Sequence, residues 1–434
     1  MDPITTGIVG VFLMLLLFTL NMPISFAMAI VGFFGFAYII NWNAAVSLLT
    51  RDIFSMLSNY SLNVIVLFVL MGSFAFASGM SSRLYNSAHK LTGKLPGGLA
   101  VATILACSGF AAICGSTAAT AATIGRVALP EMKRFGYDSK LAAGCIASSG
   151  TIGIMIPPST IFIVYGILTE QSIGTLFAAG IFPGLLLTLF FILIVFYIAL
   201  KNKNAAPAGQ SSTFAEKLTS LWKIMDIFLL FAVSIGGLFL GWFSPNQAAG
   251  VGAAGALIIG LFHRELSWQK FTAATREGLR TACMIMFLIA GASVFGKFMA
   301  VTTIPAKLST WVSVLPFPPM VIIILICVML FIGGCFIDAM ALVMLTMPIL
   351  YPVILQLNYD PIWFGVIIVL LSQIAVVTPP VGVNVYVLKG IAPDLPITKI
   401  FQGTFPFLWA MVALLVLAIV FPELILWLPR ILAG

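Results

Sequence analysis

The sequence predicts an all-α polytopic membrane protein, and three observations carry that prediction. Of the 434 residues, 61% are hydrophobic and 8% are charged, with a mean hydropathy of +1.16, whereas soluble domains are about 25% charged. Apolar runs of about 20 residues, the length a helix needs to cross a bilayer, recur along the chain. Lys and Arg gather in the short polar segments between those runs, which is the pattern that orients membrane helices. The net charge of +8 therefore marks a membrane protein and argues against a nucleic-acid binder.

Taken in order, spans fall near residues 4–22, 24–41, 61–80, 141–168, 173–200, 224–242, 246–262, 281–300, 362–388 and 404–428. The first apolar run lacks a basic leader and a small-x-small cleavage site, so a retained helix is expected there. Two further apolar stretches, 97–130 and 317–350, carry Gly-rich or polar breaks near their midpoints. If both are re-entrant hairpins, the loops at 81–96, 131–140, 201–223, 263–280 and 389–399 share one side and hold sixteen of the 21 Lys and Arg residues. Lys203 is among them, and the other side keeps Arg51, Lys297, Lys307 and Arg430. This bias places the loops in the cytoplasm and both termini outside it. Threading either hairpin straight through as a single span would scramble the bias.

The polar stretch 201–223 reads as a cytoplasmic linker between two halves, with 214–222 suited to lying on the membrane surface. The expected organisation is scaffold helices in 1–60, a first repeat core in 61–200 and the linker. Second-half scaffold helices in 224–280 and a second repeat core in 281–434 follow. Each core holds one hairpin and one broken helix, 141–168 in the first and 362–388 in the second.

The halves repeat. Pro157-Pro158 and Pro379-Pro380 lie 222 residues apart, and the same shift takes Tyr137-Asp138 to Tyr359-Asp360, Pro130 to Pro352 and Ser116 to Asp338. With a slip of one residue, Gly180 and Pro183 match Gly403 and Pro406. An odd number of crossings per half inverts the second half, and inverted repeats with broken helices place transporter binding sites at the repeat interface.

The breaks carry the polar chemistry. At the first tip, Gly115 permits a tight turn, while Ser116 and Thr117 supply hydroxyls and carbonyls where the backbone leaves the helix. In the companion break, Pro157 and Pro158 lack backbone donors, so carbonyls near Ser149, Gly150 and Thr151 are candidates to face a cation. A sodium ion at mid-membrane requires such neutral oxygens. The second tip holds Gly334 and Asp338, the one acidic residue between Glu277 and Asp360. A carboxylate at that depth costs about 2.5–3.5 kcal/mol even on a lenient scale, so it marks a functional site, and a bound cation would offset the cost. As an alternative or additional role, Asp338 would cap the following half-helix. Val377 and Thr378 precede Pro379-Pro380, with Asn384 beyond. Arg126 either attracts an anionic substrate or snorkels to the cytoplasmic interface. Six cysteines without CxxC spacing and two distant histidines give no metal or redox motif. No organic cofactor is expected.

At these residues the sequence resembles the large membrane subunit of tripartite ATP-independent periplasmic (TRAP) transporters, within the wider ion-transporter superfamily. The resemblance rests on GSTAATAATIG at 115–125, ASSGTIGIMIPPS at 147–159, GGCFIDAMALVMLTMPI at 333–349 and VVTPPVGVNVYV at 376–387. It implies an inverted-repeat, elevator-type transporter in a bacterial inner membrane, driven by a sodium gradient and not an enzyme. A small membrane subunit and a periplasmic substrate-binding protein are the implied partners, and small organic acids such as dicarboxylates or sialic acid the implied substrates. The resemblance assigns one sodium site around Ser116, Ser149 and Gly150, and another to Asp338 and the break before Pro379. Substrate would lie between the tips, near Ser116, Thr117, Pro157, Pro158, Pro379 and Asn384. A first span starting at Ile4 leads us to expect the small subunit on a separate chain. The rival readings are a standalone carboxylate symporter or exporter, an intramembrane enzyme and a channel. The enzyme lacks any Ser/His pair, HExxH motif or paired Asp at membrane depth, and broken helices in an inverted repeat suit alternating access better than a pore.

Overall fold

The computed structural model describes residues 1–202, 204–209 and 212–433; Lys203, in the predicted linker, lies outside them. The described chain is helical, with no strand. Among the described residues, six helices are long and apolar enough to cross a membrane, or seven counting the bent pair Phe214–Trp222 and Met225–Phe239. The shorter apolar helices include Gly98–Cys114, Pro319–Gly334 and Pro361–Ala375.

The predicted hairpins are helix–tip–helix pairs, Gly98–Cys114 with Thr117–Arg134 and Pro319–Gly334 with Ala339–Gln356. Both predicted broken helices are broken. Ser139–Ser149 runs into a 3₁₀ stretch, Gly150–Ile154, and α-helix resumes at Thr160–Thr169. Pro361–Ala375 gives way to an irregular segment before Val383–Ile391. A shift of 222 residues lays Thr117–Arg134 end for end on Ala339–Gln356. The repeat landmarks have a local cause. Asp138 and Asp360 are N-caps, Asp138 Oδ1 accepting from Lys140 N at 2.7 Å and Asp360 Oδ1 from Ile362 N at 2.7 Å. Such caps satisfy amides that the first helical turn leaves without partners.

Several segments read as loops are helices. Met80–Thr92 occupies most of the predicted loop 81–96, and Trp268–Val301 extends back through most of 263–280. The last predicted span, 404–428, is instead Ile397–Val420 followed by the separate helix Glu423–Ala433. Trp42–Leu57 and Ile304–Val314 were not anticipated. Their scattered polar residues lower the hydropathy, although each is amphipathic. One of those polar residues has a structural use. Asp52 is buried and accepts from Lys297 Nζ and, at 3.2 Å, from Ser293 Oγ, which ties Trp42–Leu57 to the long helix. Lys297, counted above among the outer-side cations, is thus half of an ion pair.

Close helix approaches set the frame. Ile24–Ile39 and Asn63–Ala77 pack on Trp268–Val301, Pro245–Phe262 packs on Asn63–Ala77, and a Cβ on Gly32 would stand 2.8 Å from Phe295 N. The first broken helix crosses Ile397–Val420 so closely that a Cβ on Gly144 would meet the Gly403 carbonyl at 2.0 Å.

Candidate functional site

The first tip is built by a change of backbone region. Gly115 ends Gly98–Cys114 at φ +64°, a conformation that favours glycine, and Ser116 returns to extended backbone. Ser116 then caps the second arm: its Oγ accepts from Ala119 N at 3.4 Å, and its carbonyl from the Thr120 hydroxyl at 2.7 Å. The Gly115 carbonyl accepts from Thr160 Oγ1 at 3.1 Å, which joins the tip to the far side of the first break. Behind the tip the backbone is pressed together. A Cβ on Gly150 would lie 2.6 Å from Ala121 Cβ, and one on Gly153 would lie 2.7 Å from the Ser116 carbonyl oxygen.

The second tip is looser. Asp338 is exposed, and its Oδ1 accepts from Met340 N at 3.0 Å, the capping role that the sequence allowed. Gly334 abuts Ala375, where a Cβ would come within 2.8 Å of the alanine methyl.

Both tips open on one cavity of about 590 Å³, whose wall includes Ser116, Thr117, Arg126, Glu277, Asp338 and Val376. Arg126 is exposed and is the one Lys or Arg in that wall among the described residues. The other predicted substrate residues are absent from it. Pro157 and Pro158 are buried in the first break, Pro379 is exposed elsewhere, and Asn384 is fully buried. Asn384 turns inward instead, because its Nδ2 donates to Ala147 O at 2.9 Å.

That inward turn is one of three bridges between the broken helices, another being Tyr165 Oη donating to Pro361 O at 2.6 Å. In the third, Gln373 Nε2 donates to Thr151 O at 2.9 Å. The amide nitrogens are thereby used, while Gln373 Oε1, Asn384 Oδ1, Ser148 Oγ and Ser372 Oγ are buried without a hydrogen-bond partner among the described residues. A buried acceptor left unsatisfied costs about 1–3 kcal/mol, so four near one crossing call for an explanation. Of the predicted cation residues, Ser149 and Thr151 are fully buried beside this crossing, and Thr151 Oγ1 bonds back to Ser148 O at 2.7 Å. At the second break, Thr378 Oγ1 bonds back to Ile374 O at 2.6 Å, and Val377 O lies 3.4 Å from Thr404 Oγ1. Gln373, Ser372 and Glu277 were not singled out from the sequence. For Gln373 a signal existed: it is an amide in an otherwise apolar run, 222 residues after Thr151.

A helical membrane chain whose two interrupted hairpins share a cavity is built as a transporter. Residues 10–424 match the family described as "Tripartite ATP-independent periplasmic transporter, DctM component". The chain is 34% identical over 383 residues to a C4-dicarboxylate TRAP transporter large permease protein of Pseudomonas aeruginosa, covering 88% of this chain and 89% of that protein. A sialic acid TRAP transporter large permease protein of Vibrio cholerae is 30% identical, over 95% of this chain and 96% of that one. The solved structure of the YdaH transporter of Alcanivorax borkumensis superposes with a TM-score of 0.70 at 15% identity, covering 96% and 98% of the two chains, and supports the fold alone. The chain belongs to the family of TRAP transporter large permeases, multi-pass membrane proteins of bacterial transporters.

Proposed function

We propose that this chain couples sodium entry to import of a small organic acid across the bacterial inner membrane. A periplasmic binding protein would deliver the acid, and a small membrane subunit would brace the chain. The observation that carries the reading is the group of unpartnered oxygens on Ser148, Ser372, Gln373 and Asn384 where the broken helices cross. They lie on or next to the segments whose tips face the shared cavity. Neutral oxygens in a dry setting suit a desolvated monovalent cation, and occupancy would remove the cost of leaving them bare. Sodium bound there, and a second ion beside Asp338, would supply the positive charge that draws a carboxylate between the tips. Ser116, Ser149, Gly150 and Thr151 would serve the first ion; Gly334, Val377 and Thr378 would frame the second.

Arg126 supplies a fixed cation for the substrate carboxylate, and this deepens the earlier choice between substrate attraction and snorkelling in favour of attraction. The two relatives described above are named for C4-dicarboxylate and sialic acid transport, in keeping with an acidic substrate. In this reading the halves are inverted, both termini are periplasmic and the linker is cytoplasmic. Proteoliposome uptake tests it. An organic acid should accumulate only with an inward sodium gradient, the small subunit and the binding protein all present. Accumulation that ignores sodium would remove the coupling. Arg126→Gln should raise the KM for the acid about tenfold, as expected from losing one charge-assisted contact.

A further inference from the structure

A second cavity, of about 760 Å³, lies away from the tips and is lined by Arg83, Lys90, Lys223, His263, Glu216 and Glu265 among others. It forms where Met80–Thr92, the helix preceding the first hairpin, meets Phe214–Trp222 of the linker. Of the two acids, Glu216 is already engaged. Glu216 Oε2 accepts from Thr213 N at 2.8 Å in a capping box. Glu265 lies over Gly79, with its Oε2 2.6 Å from where a Cβ would stand, at the positive end of Met80–Thr92. Arg83 is anchored through Nη1, which donates to Asp226 Oδ2 at 2.8 Å and stands 3.1 Å from His263 Nε2. Its Nε and Nη2 are shielded and have no partner among the described residues. The Lys90 and Lys223 side chains are exposed and make no described hydrogen bond or ion pair. Burial draws the nearby His89 below its ordinary range, against a smaller upward pull from Glu131. Of the fixed cations in the cavity wall, Arg83 is ion-paired with Asp226, and Lys90 and Lys223 have no such partner among the described residues.

The helix beside this cavity turns apolar residues outward. Phe214 is 81% exposed, Leu218 49% and Trp222 69%, a spacing that puts all three on one face. Such a face beside the exposed Lys90 and Lys223 is the arrangement of an interfacial helix on an anionic bilayer. We propose that this cavity takes the phosphate headgroup of an anionic phospholipid, bound by Arg83, Lys90 and Lys223, with its acyl chains along Phe214, Leu218 and Trp222. The lipid would join the linker to the helix that leads into the first hairpin. This assignment does not depend on sodium coupling or on the transported acid.

Native mass spectrometry of the full chain, released from nanodiscs of phosphatidylglycerol and phosphatidylcholine, tests it. The wild type should retain phosphatidylglycerol in preference to phosphatidylcholine. Lys90→Gln and Lys223→Gln should each weaken that retention about fivefold, and the pair together about 25-fold. Both lysines are exposed, so folding should be unaffected, and an unchanged melting temperature checks this. Equal retention of the two lipids, or a double variant that keeps phosphatidylglycerol as the wild type does, would overturn the proposal. So would sn-glycerol 1-phosphate or inorganic phosphate displacing the lipid at equal concentration, since the site would then be one for a soluble phosphate.

Discussion

The two hairpin tips occupy equivalent places in the repeat, yet they are built differently. Ser116 caps its arm with a neutral hydroxyl and is held from behind by backbone, with Gly150 and Gly153 packed onto the arm. Asp338 caps the corresponding arm with a carboxylate and is exposed to the cavity, and the nearby Gly333 and Gly334 face side chains and not main chain. The breaks differ in the same sense: the first is buried throughout residues 150–159, whereas the second is exposed from Pro379 to Val381. One frame thus supports a rigid neutral tip and a looser charged one. On electrostatic grounds a cation at the first leaves a net positive charge, while one at the second is neutralised by Asp338. The charged tip should therefore dominate ion affinity, and the neutral tip should dominate the stability of the frame.

The largest expected effect follows from the charge. Asp338→Asn keeps an oxygen for the cap but removes the carboxylate, and should lower apparent sodium affinity about 10- to 100-fold, the loss expected for a contact of about 1.5–3 kcal/mol with a charged group. Initial uptake rates over a sodium titration measure it. A titration curve identical to the wild type would erase the distinction between the tips. Gly150→Ala ranks next and probes the rigid side. Its methyl would meet Ala121 at 2.6 Å, with main chain directly behind. Overpacking of this kind costs about 1–3 kcal/mol, seen as a lower melting temperature. Gly390→Ala, where a Cβ meets nothing within 4 Å, should change little and serves as the control.

The same contrast explains which parts of the molecule were legible in the sequence. Glycine, proline and capping residues mark both tips and both breaks, because the chain leaves the helix there and few residue types allow it. Ser116 and Asp338, or Asp138 and Asp360, align at one shift because each pair caps the same half-helix. Amphipathic helices such as Trp42–Leu57 and Met80–Thr92 were passed over, since a hydropathy reading averages away a single apolar face. Side-chain direction was also hidden. Asn384, expected beside the substrate, instead reaches Ala147 in the other half. Gln373 and Thr151 are far apart in sequence, and only the crossing of the two broken helices makes them neighbours.

Apart from the Gly390→Ala control, Ser116→Ala should give the smallest effect and fixes the scale of the comparison. The hydroxyl contributes one cap contact at 3.4 Å, long for a hydrogen bond, so its loss should cost no more than about 1 kcal/mol. The Ser116 carbonyl, which binds the Thr120 hydroxyl and abuts Gly153, is untouched by the substitution. Apparent sodium affinity should accordingly fall less than fivefold, with the melting temperature lowered by only a few degrees. A loss as large as that of Asp338→Asn would mean that the hydroxyl is itself a principal ion ligand. The two tips would then share the ion-binding work equally, despite the difference in charge.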